Sequence, residues 1–163
     1  MNRGTRALRP GWHLLVGAFL LMLAAGAATA LLFGTVAEAP AADEPLRVVY
    51  HINTDDPELH LNALRNLQNH IDGTPAGAPL EIKVLTHGSG ISLLQHARTD
   101  PDLRSTVNTL RLQDVRFLVC GNTMESRGLE REDLHEVAEK DVVPSGLAEL
   151  TRLQRAGYTY IKP

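Results

Sequence analysis

The chain has 163 residues, a length that suits one domain with one hydrophobic core, and its hydrophobic content of 44% is ordinary for a globular protein. A net charge of −3 and an aromatic content of 4% exclude the basic surface and the stacking platforms typical of nucleic-acid-binding proteins. We therefore expect no nucleic-acid partner.

Residues 1–36 have the pattern of a signal peptide or of a transmembrane anchor. Three arginines within the first nine residues precede an uncharged apolar stretch, residues 12–36, which we expect to form a hydrophobic helix. Its length favours a retained anchor, whereas small residues between positions 37 and 41 resemble cleavage sites, and both alternatives stay open. Residues 37–45 are expected to be a linker. Because the positive flank stays in the cytoplasm, the following domain is predicted at the periplasmic face of the inner membrane, or free in the periplasm if the leader is cleaved.

Residues 46–163 alternate between apolar runs and amphipathic segments. The expected strands are residues 46–52, 80–86, 115–120, 141–143 and 158–161. Asp or Ser before a helix and Pro at its first position are favourable start signals. They predict helices after Asp56-Pro57, after Asp100-Pro101 and from Ser145 to about Arg155. Further helices are expected over residues 91–96, after Gly121 and around residues 132–137. Strands that alternate with helices predict an α/β fold, a three-layer sandwich with a roughly five-stranded, mostly parallel sheet.

Cys120 is the single cysteine of the chain, and it ends an apolar, β-branched run that is followed by Gly121, Asn122 and Thr123. This pattern predicts a strand, a turn and the start of a helix, where unpaired N–H groups favour a thiolate over a thiol. A single cysteine in an exported domain has no internal disulfide partner. It is therefore either a reactive thiol or a buried, inert core residue.

The carboxyl ends of parallel strands meet at one edge of a sheet, where open α/β sheets bind their ligands. His51, His87 and Cys120 each lie at the end of a predicted strand, so we expect their side chains to converge. The predicted catalytic residue is Cys120, and the predicted ligand-binding residues are His51, His87, Gly88, Gly121 and Asn122. No metal and no cofactor are expected, but His51, His87 and Cys120 form an alternative set of zinc or copper ligands. The four remaining histidines of the domain are expected on helices, at the surface or at face edges, without a functional role: His60, His70, His96 and His135.

Five segments, in order, resemble the DsrE-like (YchN-like) sulfur-relay family: LRVVYHIN, ALRNLQNHI, IKVLTHGSGISLL, VRFLVCGNTMESRGL and VVPSGLAELTRLQRAGYTYIKP. The resemblance covers residues 46–163, and its most specific parts are the cysteine segment and the closing segment. It implies a YchN-like α/β fold, assembly into dimers, trimers or hexamers, and a persulfide on the cysteine that matches Cys120. The tRNA-thiolation role of cytoplasmic members does not carry over to an exported chain.

These observations predict an exported or membrane-anchored protein that binds or transfers sulfane sulfur through one cysteine. Because no second cysteine is available to resolve a persulfide, a sulfur donor or acceptor protein or a small thiol is expected as a partner. The chain is expected to form a homo-oligomer. The alternative is an oligomeric small-ligand or metal-binding module without catalysis.

Overall fold

The computed structural model describes residues 44–163, which form a five-stranded sheet with helices on both faces. The strands are β1 (Leu46–Ile52), β2 (Leu80–Thr86), β3 (Arg116–Cys120), β4 (Val142–Val143) and β5 (Thr159–Ile161). Their order across the sheet is β4-β3-β2-β1-β5, and all four neighbouring pairs are parallel. The predicted three-layer α/β fold is confirmed.

Five α-helices connect the strands: α1 (Pro57–Gly73), α2 (Ser92–His96), α3 (Pro101–Arg111), α4 (Gly121–Arg127) and α5 (Gly146–Arg155). Short 3₁₀ turns occupy Gly88–Ile91, Arg131–Asp133 and Glu139–Asp141. The Asp-Pro start signals act as expected: the Asp56 carboxylate accepts hydrogen bonds from the first turn of α1, and Asp100 does the same for α3.

Successive side chains of a strand point to opposite faces of the sheet. The buried side chains therefore form two clusters, one on each face. The larger cluster includes Tyr50, Val84 and Val119 from the strands and packs against α1 to α4. The smaller cluster joins Val49, Leu85 and Leu118 to α5 through Leu150 and Leu153. His51, His87 and Cys120 each follow one of these three strand residues by two positions. Because side chains two residues apart in a strand share a face, all three lie on the face that α5 covers.

Three sequence expectations are wrong in detail. Residues 132–137 do not form a helix: a single 3₁₀ turn at Arg131–Asp133 is followed by a turn in which Glu136 has a left-handed backbone (φ 49°), so His135 is not helical. On α1 the four-residue spacing of Leu59, Ala63 and Leu67 predicts that all three are buried, but Leu59 is 52% exposed. His60 takes the inward position, with no exposed surface, because its Nε2 bonds to the backbone oxygen of Thr54 over 2.8 Å.

The predicted leader, residues 1–36, and nearly all of the predicted linker lie outside the described residues. Among the helices of residues 44–163, none combines the length and hydropathy needed to cross a lipid bilayer. The domain boundaries and the hydrophobic N-terminal helix stay predictions.

Candidate functional site

The Cys120 side chain lies at the carboxyl edge of the sheet, where β3 ends and α4 begins, and it is 5% exposed. The backbone N–H of Gly146 donates a hydrogen bond to its Sγ over 3.2 Å. Burial by itself raises the pKa of the thiol, but hydrogen bonds from the Thr123 side chain and from the backbone N–H groups of Gly146, Thr123 and Asn122 outweigh it, so the pKa is lowered. This direction agrees with the predicted preference for the thiolate, although the thiol is nearly buried, and the reactivity of Cys120 stays a prediction.

Gly146 is a site residue that the sequence analysis missed. It is the first residue of α5, and its N–H is one of the helix N-terminal donors that have no partner within the helix. A Cβ at this position would lie 3.0 Å from Cβ of His87 and 3.2 Å from Cβ of Cys120. The absence of a side chain therefore lets the start of α5 reach the sulfur atom while His87 and Cys120 stay adjacent. The sequence signal was the Pro-Ser-Gly segment at residues 144–146, which indicated only a helix start.

His51 and His87 form a stacked pair beside the thiol. Their ring centroids are 4.7 Å apart and the rings are inclined by 14°. The Nδ1 atom of His51 is hydrogen-bonded to the hydroxyl of Tyr160 over 2.8 Å, and the Nε2 atoms of both rings are buried without a hydrogen-bond partner among the described residues. Two buried, unpaired ring nitrogens are costly unless a ligand or water pairs with them, so they point to a polar occupant.

Both imidazoles are neutral at neutral pH. Burial lowers the pKa of His51 to about 4, with further lowering from His87 and from the positive charge of Lys162. Burial and Lys162 also lower the pKa of His87. Imidazoles with lowered pKa values are weak proton acceptors, and in their neutral form they add no positive charge to the site.

The glycine loop after β2 supports the thiol indirectly. The N–H of Gly88 donates to the Thr123 hydroxyl oxygen over 3.0 Å, so this N–H is occupied by Thr123. Gly90 is tightly packed, because a Cβ there would lie 2.1 Å from the backbone oxygen of Ile52. The ligand-binding role expected of Gly88 stays a prediction; in this geometry its N–H holds the side chain of Thr123.

The two other predicted ligand-binding residues, Gly121 and Asn122, begin α4 and lie next to β4. A Cβ at Gly121 would lie 3.2 Å from the backbone oxygen of Val143. The N–H of Asn122 donates to the backbone oxygen of Pro144 over 3.2 Å and also contributes to the lowered pKa of Cys120. Both residues connect the start of α4 to the segment that leads into α5.

The alternative metal site has no three-ligand cluster in this geometry. Within residues 44–163, no three His, Cys, Asp or Glu side chains lie close enough together to hold a metal ion. The stacked arrangement of His51 and His87 does not suit a shared metal ion. The two rings are nearly parallel, so their in-plane lone pairs lie in separate planes and do not converge on one ion.

Comparison with known proteins identifies a family and a similar solved structure. The model of the DsrE/DsrF-like family matches residues 27–163. The solved structure of a protein of unknown function from Methanobacterium thermoautotrophicum, MTH1491, is similar with a TM-score of 0.63 and 33% sequence identity, over 72% of this chain and 98% of that one. No curated protein matches the chain.

Proposed function

This chain belongs to the DsrE/DsrF-like family, and we propose that it takes up sulfane sulfur on Cys120, holds it as a persulfide and passes it to an acceptor. The observation that carries the proposal is the hydrogen bond that the Gly146 N–H donates to Sγ of Cys120 over 3.2 Å, at a residue that is 5% exposed; together with the Thr123 side chain it lowers the pKa of the thiol against the effect of burial. Donors that stabilise a thiolate also stabilise the negative terminal sulfur of a persulfide.

In the proposed reaction the Cys120 thiolate attacks a sulfane sulfur atom of the donor. A new S–S bond forms at Cys120, the S–S bond within the donor breaks, and its electron pair leaves with the remainder of the donor. An acceptor thiolate then attacks the outer sulfur of the persulfide and releases the Cys120 thiolate. When Cys120 enters the cycle protonated, its proton passes to water, because the lowered pKa values of His51 and His87 make both rings weak bases.

The proposal includes a partner, an assembly and a location. Because Cys120 is the single cysteine, the acceptor is a second protein or a small thiol. We also propose a homo-oligomer, since Leu147 on α5 is 61% exposed and Tyr160 on β5 is 39% exposed, and both lie on the side of the sheet that α5 only partly covers. Anchoring at the periplasmic face of the inner membrane, or release into the periplasm after cleavage, follows from the leader pattern of residues 1–36.

Mass spectrometry of the full-length chain after exposure to inorganic polysulfide tests this function. The wild-type chain is expected to gain one or more sulfur atoms that a reducing thiol removes, and Cys120→Ser is expected to gain none. Because no other cysteine is present, any wild-type adduct of this kind lies on Cys120. A wild-type thiol that takes up no sulfur until the chain is unfolded would contradict the proposal and would favour a ligand-binding module without catalysis.

A further inference from the structure

A second pair of histidines, His60 on α1 and His96 on α2, lies on the face of the sheet opposite the one that α5 covers. His60 has no exposed surface, and His96 is partly exposed. Their ring centroids are 6.1 Å apart and the rings are inclined by 47°. The Nδ1 atoms of both rings are buried without a hydrogen-bond partner among the described residues. The proposed sulfur chemistry uses neither ring.

The hydrogen bond of His60 fixes which of its two nitrogens carries the proton. Nε2 lies 2.8 Å from the backbone oxygen of Thr54, and a carbonyl oxygen only accepts hydrogen bonds, so Nε2 is the N–H atom. Burial lowers the pKa of His60, so the ring is neutral at neutral pH and Nδ1 holds a lone pair without a proton. A backbone carbonyl in this position is a common partner of histidines that bind a metal ion through their other nitrogen.

The separation of the two rings suits one bridging atom. Ring nitrogens that share a hydrogen bond of about 3 Å have centroids within about 5.3 Å, because each nitrogen lies about 1.15 Å from its own centroid. A metal ion with bonds of about 2.0–2.1 Å to two imidazole nitrogens allows centroids up to about 6.4 Å apart, and a tetrahedral angle at the ion brings them to about 5.2 Å. The observed 6.1 Å is therefore too long for a direct hydrogen bond and corresponds to a metal ion with a wide angle between its two nitrogens.

The surroundings favour a cation with few ligands. Burial lowers the pKa of His60, and the carboxylates of Asp55 and Asp56, just before α1, act against this lowering. Negative charge beside a buried lone pair favours a cation over a neutral water molecule. Within residues 44–163 no third His, Cys, Asp or Glu side chain joins the pair, so the four-ligand shell that zinc prefers is incomplete. Copper binds imidazole well, and copper(I) is stable with two nitrogen ligands at a wide angle.

We propose that Nδ1 of His60 and Nδ1 of His96 bind one copper(I) ion. The partly exposed side of His96 is the entry path for the ion. Two copper–nitrogen bonds form to neutral rings, so binding at His60 displaces no proton, and the oxidation state of the ion does not change. Because α1 and α2 pack on the face opposite α5, this site is separate from Cys120, and the inference does not rest on sulfur transfer.

Competition for copper(I) against a chromophoric chelator, under anaerobic conditions, tests the site. The full-length chain with Cys120→Ser is used, because a free thiolate is itself a strong copper(I) ligand. We expect this chain to bind one copper(I) ion at this site, and His60→Gln or His96→Gln to weaken that binding about 100-fold or more. His70→Gln is the matched control, since His70 lies near the other end of α1 and its Nδ1 is bonded to the Tyr50 hydroxyl over 2.9 Å.

A second measurement stays informative if His60→Gln does not fold. Copper(I) is expected to raise the melting temperature of the Cys120→Ser chain, and the same chain with His96→Gln, a change at a partly exposed residue, is expected to lose this increase. Equal copper(I) affinity with and without His96→Gln would overturn the inference, and so would tighter binding of zinc than of copper(I) by the Cys120→Ser chain. Neither result affects the polysulfide test, which is made on wild-type Cys120.

Discussion

Replacement of Thr123 by valine removes one hydroxyl from beneath the thiol and keeps the shape of the side chain. Thr123 is 8% exposed, its hydrogen bond is the largest of the contributions that lower the pKa of Cys120, and its oxygen accepts the N–H of Gly88 over 3.0 Å. A hydrogen bond to a charged group contributes about 1.5–3 kcal/mol, so the thiolate population at neutral pH is expected to fall about tenfold or more. The loss of the Gly88 acceptor is expected to cost about 1 kcal/mol of unfolding free energy.

The assay is the rate of iodoacetamide alkylation against pH. In Thr123→Val the inflection is expected to move to higher pH, because the pKa of Cys120 rises, while the plateau rate above the inflection stays near that of wild type. Thr123→Ser keeps the hydroxyl and should keep the wild-type inflection. Thr106→Val is the matched control, since the Thr106 hydroxyl bonds only to the backbone oxygen of Asp102 on α3. An unchanged inflection in Thr123→Val would refute the assignment of the lowered pKa to this hydrogen bond.

Three further predictions concern stability and the leader. The His51 pKa is about 4 in the folded chain and near 6.5 when unfolded, so the unfolded state binds more protons between these values. Acidification from about pH 6.5 to pH 4 should therefore lower the unfolding free energy, with up to ~3 kcal/mol from His51, and denaturant titrations of His51→Gln should show a smaller loss. Gly90→Ala should cost more than about 3 kcal/mol because its Cβ would overlap the Ile52 backbone, whereas Gly73→Ala, with no atom within 4 Å, should change stability by less than about 1 kcal/mol. The intact mass of the native protein should show either the uncut chain or a chain cut between residues 37 and 41; a cut after residue 46 would contradict the leader prediction.

Helix starts and strand positions follow from local patterns in this chain, and most could be predicted. Asp-Pro pairs set the first residues of α1 and α3, because the carboxylate pairs with N–H groups two and three residues ahead and proline fits the first helical position. The bounds of β1 and β2 match the predicted ranges. The wrong prediction at residues 132–137 is also local: the backbone is already extended at Leu134 (φ −115°, ψ 147°), so the 3₁₀ turn ends at Asp133, and Glu136 is left-handed.

The predicted convergence of His51, His87 and Cys120 agrees with the geometry, because a parallel sheet brings strand ends to one edge and alternation assigns them one face. The stacking of the two rings and the contact of both His87 and Cys120 with Gly146 support it. Their chemical roles stay predictions until reactivity is measured. The buried position of His60 was missed, because its partner is a backbone oxygen, which no sequence pattern reveals.

The sequence by itself determined the alternation of strands and helices, the fold class and the family, because these depend on apolar periodicity, helix caps and short motifs along the chain. Only the tertiary structure decided which groups surround the thiol. Gly146, 26 residues after Cys120, contacts the sulfur because α5 returns across the sheet, and the Tyr160 hydroxyl reaches His51 because β5 pairs with β1 instead of β4. Such contacts depend on how distant segments pack, and the free energy that selects one packing is summed over the whole core, so no local pattern encodes them.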